Sequence, residues 1–367
     1  MIMAFTGAAL VLFVTFHCLL NAIAICWPTT YNSVCMFLGA NWYALLASVV
    51  LAALIVIHII YAVVLTMKNR KARGNQRYAI SKRPKTVEWS SNNMLVLGIV
   101  ILAFLVVHLI QFWAKMQLQE IRGSEEMLPP AAGTLFIQEA FSLVWTPIVY
   151  IIGFLALWFH FQHGFWSMFQ SVGWDSTVWI PRLKKVACWW ATLVCLCFTA
   201  QAIVFTIKAH EDFYKTNPEL RDQYKAMLAP MYERDFGPAS AQIGMQLQMM
   251  PYEELSQVLE QQVMQIKAQG DNDQMFEMQI AGLPIDQQAK MREQYNQQKR
   301  MNEAFTKMHE FFNYLEGKSS VEPMPEPEIM PMGPAPQAAP APQPAPALEA
   351  ADAPQAPEQP ETPQNNQ

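Results

Sequence analysis

No glycine-rich dinucleotide fingerprint joins a strand to a helix in this chain, and no run of cysteines has the spacing of an iron–sulfur cluster. Nucleotide-cofactor and iron–sulfur chemistry are therefore not built into the polypeptide. Carboxylates are missing where they would be informative. The first three long apolar runs contain no Asp or Glu, and residues 27–41 carry no charge of either sign. Lys and Arg total 25 against 30 Asp and Glu, a net charge of −5, so no nucleic-acid partner is expected.

What the chain does have is apolar length, unevenly spread. Hydrophobic residues make up 52% of it, yet mean hydropathy is only +0.11, so apolar residues are concentrated in one part and diluted in another. The first 208 of the 367 residues hold five runs, at about 2–26, 42–67, 93–117, 136–172 and 186–208. Each can cross roughly 30 Å of hydrocarbon as a helix. The expected fold is an all-α membrane protein with a five-transmembrane-helix bundle. The fourth run exceeds what a bilayer needs, so it should project into water or bend, with Pro147 the expected kink. The first run is too long for a signal-peptide core and lacks a basic start, and reads as a retained span.

Loop charge sets the orientation. Between the second and third runs lie Lys68, Arg70, Lys71, Arg73, Arg77, Lys82, Arg83 and Lys85 against the single acid Glu88, which places that loop in the cytoplasm. Arg182, Lys184 and Lys185 add to the same side, and Arg122 sits opposite among Glu120, Glu125 and Glu126. Five spans then put the N-terminus inside and the region after residue 208 outside.

Depth now sorts the histidines. His17 and His108 each fall eight or nine residues before the outer end of their runs, while His58 and His163 lie nine or ten residues before the inner end of theirs, with Gly173 the expected stop of the fourth helix. Two imidazoles on facing helices can grip one haem iron from opposite faces of the macrocycle, and the chain offers that arrangement twice. His160 fits the inner level less well and is expected to meet a haem propionate or another helix. Asn21 and Gln111 share helix faces with His17 and His108, and Ser167 and Gln170 share that of His163, as residues to orient an imidazole or meet a propionate. Interhelical hydrogen bonding is the plainer role for all of these.

The stretches MAFTGAALVLFVTFHCLLN, HIIYAVVLTMKNRKAR, NMLVLGIVILAFLVVHLIQFW and FHFQHGFWSMFQSVG, in this order and spacing, resemble the diheme cytochrome b membrane anchor of bacterial succinate dehydrogenases and fumarate reductases. The resemblance covers about residues 1–208. It implies one haem ligand on each of the first four helices, His17, His58, His108 and His163, with His58/His163 holding the haem nearer the cytoplasm and His17/His108 the distal one. It implies two haem b groups, a membrane quinone such as menaquinone as substrate, and iron–sulfur and flavoprotein subunits as partners. It allows a higher-order oligomer of that complex. The setting implied is the bacterial inner membrane. Dicarboxylate chemistry would belong to the partners. Acidic residues that some relatives carry before the fourth ligand or in the first outer loop are replaced here by Phe161 and Gln162 and by the uncharged residues 27–41; Glu139 is left as the candidate proton donor at an outer quinone site. An anchor for a hydrogenase or a formate dehydrogenase, and a haem-free protein with structural histidines, stay open as alternatives.

Of the six cysteines, Cys18, Cys188, Cys195 and Cys197 lie in apolar runs and are expected to pack; Cys26 and Cys35 flank the outer loop and could form a disulfide in an oxidising compartment. Residues 209–318 are rich in Gln, Met, Glu and Lys with helical periodicity, and are expected to form exposed helices on the membrane or on a partner, with His210 and His309 at the surface. Residues 319–367 are a Pro/Ala-rich tail that cannot bury a core and should be disordered.

Overall fold

The computed structural model describes residues 1–73, 89–122, 127–237, 244–245, 248–270 and 272–318. Among the described residues every regular element is a helix. The basic residues between 74 and 88, Glu125 and Glu126, and the Pro/Ala-rich tail lie outside them.

Five helices are long and apolar enough to span a bilayer, which by length and composition makes this a multi-pass membrane protein. They are α1 (Ile2–Cys26), α3 (Trp42–Arg73), α4 (Trp89–His108, continued by a π-helical turn over Leu109–Trp113), α7 (Trp145–Ser171) and α8 (Trp179–His210). Helices answer the demand of hydrocarbon that each backbone N–H and C=O find its partner within the segment. Gly173, at φ 94°, closes α7 where an L side chain would be strained.

The connections hold more structure than their sequence suggests. Residues 27–41 fold into α2 (Pro28–Gly39), opened by a proline in the first turn, where its missing N–H costs nothing. After the short α5 (Gln117–Arg122), the overlong fourth run is two helices, α6 (Gly133–Phe141) and α7, separated at residues 142–144. Pro147 therefore sits in the first turn of α7, with no N–H to lose, and the expected kink there is replaced by a break ahead of it.

Within the bundle α7 packs along α8, α4 and α1, and α1 along α3 and α8. The pairs α1/α4 and α3/α7 are not packed along each other. They stand across the bundle, so contact between them falls to long side chains. The outward faces of α3 and α4 expose Val49, Val56, Ile60, Val96 and Ile99, as suits lipid.

After α8 the chain folds back through α9 (Phe213–Thr216), α10 (Pro218–Phe236), α11 (Tyr252–Gln269), α12 (Asp273–Ile280) and α13 (Ile285–Leu315). The expectation of exposed helices holds for α12 and the first half of α13 but not for the rest. Leu220 and Tyr224 of α10, Leu255 and Leu259 of α11, and Phe311, Phe312 and Leu315 of α13 are buried in one core with Leu135 and Phe136 of α6. That core lies at the α2/α6 end of the bundle. His210 is exposed, with Nδ1 2.9 Å from the Thr206 carbonyl, and His309 is half-buried against Asn313.

Buried polar contacts fix this docking. Asn32 Oδ1 accepts from the Thr134 N–H and from its hydroxyl, both at 2.9 Å. The first of these caps α6 from a distance, because Ala132 at the helix's own N-terminus offers no side-chain acceptor. Thr134 and Tyr224 hydroxyls lie 2.7 Å apart, and Tyr224 donates onward to the Tyr214 carbonyl at 2.9 Å. Gln223 donates to the Thr29 carbonyl at 2.8 Å. Cys26 and Cys35 are both free thiols; burial pushes the Cys35 thiol up to about 12, which keeps it protonated and unreactive.

Candidate functional site

His17 of α1 and His108 of α4 meet across the bundle, their ring centroids 5.7 Å apart and the rings at 83°. These are the two histidines that depth alone assigns to the outer level. Aromatic rings surround them. Phe13 stacks on His17 at 5.4 Å, Phe112 lies 5.3 Å from His108, and Phe198 lies 6.3 Å from His17. The His108 Nδ1 lies 3.2 Å from the Tyr150 hydroxyl, Tyr150 donates to Gln111 Oε1 at 2.9 Å, and Gln111 Nε2 donates to the Thr146 hydroxyl at 3.1 Å. Gln111 thus reaches the imidazole through Tyr150, a residue the sequence reading passed over. The π-helical turn begins at Leu109, the residue after His108, with Ala114 N–H bonded to the Leu109 carbonyl at 2.8 Å. Such wide turns recur at functional positions.

At the second level His58 of α3 meets α7 through His160, with ring centroids 6.3 Å apart and 59° between planes. His163, expected to pair with His58, packs edge-on against Trp166 at 5.0 Å; Lys184 lies 4.2 Å above that same indole. One helical turn separates the two candidates on α7, too little for loop charge or distance from Gly173 to decide between them. The His58 Nδ1 is 3.1 Å from the Thr6 hydroxyl of α1. The backbone at Gly7 comes close as well, since a Cβ there would meet His58 Cε1 at 3.9 Å. His160 Nδ1 is buried without a hydrogen-bond partner.

The remaining candidates have local bonds. Asn21 donates to the carbonyl of His17, one turn back on its own helix, at 2.9 Å, and its Oδ1 lies 3.5 Å from the Tyr31 hydroxyl. Ser167 donates to the Gly164 carbonyl at 3.1 Å, and Gln170 is exposed. Glu139 of α6 is ion-paired with Lys115 at 2.9 Å.

Both histidine pairs have the ring separation that axial ligation needs. An imidazole bonded to a metal at about 2 Å has its ring centre roughly 3 Å from it, so two axial imidazoles stand roughly 6 Å apart. The separations of 5.7 and 6.3 Å match that span. Two ligands alone are too few for a bare ion, and no group of three or more His, Cys, Asp or Glu suited to one occurs among the described residues. A macrocycle supplying four further nitrogens would complete the coordination. Searches against known protein families, curated proteins and solved structures found no match to this chain.

Proposed function

We propose that the chain is the cytochrome b membrane anchor of a succinate dehydrogenase or fumarate reductase, moving electrons between an iron–sulfur partner and a membrane quinone such as menaquinone. The observation that carries this reading is the meeting of histidines on four different spans in two pairs, each at the separation two axial ligands need. His17 and His108 would hold the outer of two b-type haems. His58 would hold the inner one with an imidazole from α7, for which His160, its ring 6.3 Å from that of His58, is the proposed ligand. Bound there, the haems supply one-electron redox steps across the hydrocarbon.

The chain's own residues do the rest. The Phe13, Phe112 and Phe198 rings exclude water from the outer pair. Glu139, held by Lys115, is the carboxylate on offer for proton exchange with quinone at the outer end. The positive-inside rule would place the Lys68–Arg73 and Arg182–Lys185 end in the cytoplasm of a bacterial cell, facing the iron–sulfur and flavoprotein subunits, and α9–α13 on the periplasmic side.

Purification of the intact complex from its native membrane tests the assignment. A flavoprotein and an iron–sulfur subunit should accompany the chain, and succinate should reduce its haems. A hydrogenase or formate dehydrogenase in their place would refute it.

A further inference from the structure

A histidine can bind a metal through Nε2 only if that nitrogen keeps its lone pair, which requires the proton to sit on Nδ1. At His108 the neighbours decide the matter. Tyr150 is buried, 4% exposed, and its hydroxyl proton is committed to Gln111 Oε1 at 2.9 Å. The Gln111 amide in turn donates to Thr146, itself fully buried, at 3.1 Å. The only role left for the Tyr150 oxygen toward the His108 Nδ1, 3.2 Å away, is to accept its proton.

The second pair repeats the device with different residues. Thr6, 1% exposed, gives its hydroxyl proton to the Ile2 and Met3 carbonyls of its own helix, at 3.0 and 3.2 Å. While it keeps either of those bonds, its oxygen can only accept from the His58 Nδ1, 3.1 Å away. Each pair therefore has one imidazole oriented by a buried hydroxyl on a neighbouring helix.

We infer that Tyr150, held by Gln111 and Thr146, and Thr6 are positioning residues that fix His108 and His58 as Nδ1-protonated tautomers and set the redox potentials of the two haems separately. This rests on the function proposed above. A hydrogen bond from Nδ1–H makes the imidazole a stronger donor and favours the oxidised metal, so losing it raises the potential. An effect of about tenfold on the ratio of oxidised-state to reduced-state affinity corresponds to about 59 mV for one electron.

Redox titration of the complex with Tyr150→Phe should show the outer haem shifted upward by about that amount and the inner haem unchanged. Thr6→Val should do the reverse. Gln111→Leu, which frees the Tyr150 hydroxyl without touching the histidine, should shift the outer haem in the same direction. Unchanged potentials in Tyr150→Phe and Thr6→Val, with both haems bound, would overturn the inference while leaving the haem assignment intact. A chain that binds no haem would overturn that assignment instead, and the nitrogen shifts of labelled histidine in the same protein then test the positioning. An Nδ1–H signal from His108 that Tyr150→Phe abolishes supports it. An Nε2–H signal, as a turned-over Gln111 amide running the chain backwards would give, overturns it.

Discussion

Replacing Asn32 by alanine should loosen the α2/α6 end of the bundle, by an amount that follows from the bonds removed. Asn32 is fully buried and serves three groups: the Thr134 N–H, the Thr134 hydroxyl and the Gln223 side chain, the last at 3.1 Å. The Thr134 N–H lies in the first turn of α6 and has no alternative acceptor from Ala132. Leaving a buried N–H unmade costs about 1–3 kcal/mol, while the Thr134 hydroxyl keeps Tyr224 and Gln223 can turn toward water at about 1 kcal/mol. The sum is about 3 kcal/mol, or roughly 100-fold in a local opening equilibrium. Hydrogen exchange read by mass spectrometry on detergent-solubilised protein should show that acceleration in the peptide covering residues 133–141. Gln223→Ala, which removes contacts at the half-exposed rim, should accelerate the same peptide by roughly tenfold or less. Exchange in Asn32→Ala within about threefold of the parent would refute the reasoning, since it would mean less than about 0.7 kcal/mol rides on the remote cap.

Three other outcomes follow. Gly153→Ala places a Cβ 2.5 Å from Phe104 Cγ and 2.8 Å from Cδ2, so α4 and α7 must separate; thermal unfolding in detergent should show a loss of about 1–3 kcal/mol, with the His108 haem lost first. His163→Ala should keep both haems and His160→Ala should lose the inner one, read from optical spectra; the opposite result would return the ligand role to His163. At the α12/α13 contact, the Arg292 hydrogen bond at 2.7 Å holds Glu277 below the usual carboxylate range. A depressed carboxylate stabilises the folded form above its unfolded value and ceases to as pH falls through its folded value. Protease cutting near α12 should therefore rise as pH falls through the acidic range below the free carboxylate value, and Glu277→Gln should show the faster cutting already at neutral pH.

The spans were legible because a helix in hydrocarbon needs little beyond apolar length, and α1, α3, α4, α7 and α8 cover the five runs. The separation of α6 from α7 was not, because SLV at 142–144 is as apolar as its flanks and the break depends on α6 packing with Leu135, Phe136 and Phe141 into the core shared with α10–α13. The buried faces of α11 and α13 were missed for a related reason. Leu255, Leu259 and Val263 form a narrow stripe among Gln and Glu, and Phe311 and Phe312 crowd the last turns of a helix whose first turns are polar, so a window average dilutes both. At the site, depth counting brought His17 to His108 but could not resolve one turn between His160 and His163. Asn21 and Ser167 share faces with their histidines yet donate to backbone carbonyls of their own helices, which face-sharing cannot foresee. Tyr150 did carry a signal: a phenol within an apolar run needs a partner for its hydroxyl, and tyrosine deserves the same question as an intramembrane histidine.

Two haems held by four histidines at two levels of one bundle is the proposal on which the rest depends. Haem content per purified chain, measured as the pyridine complex in the parent, in His17→Ala and in His58→Ala, tests it directly. About two haems are expected in the parent and one in each variant, with the two variants retaining spectroscopically different haems. A parent that holds one haem or none, or two variants that retain the same haem, would contradict it.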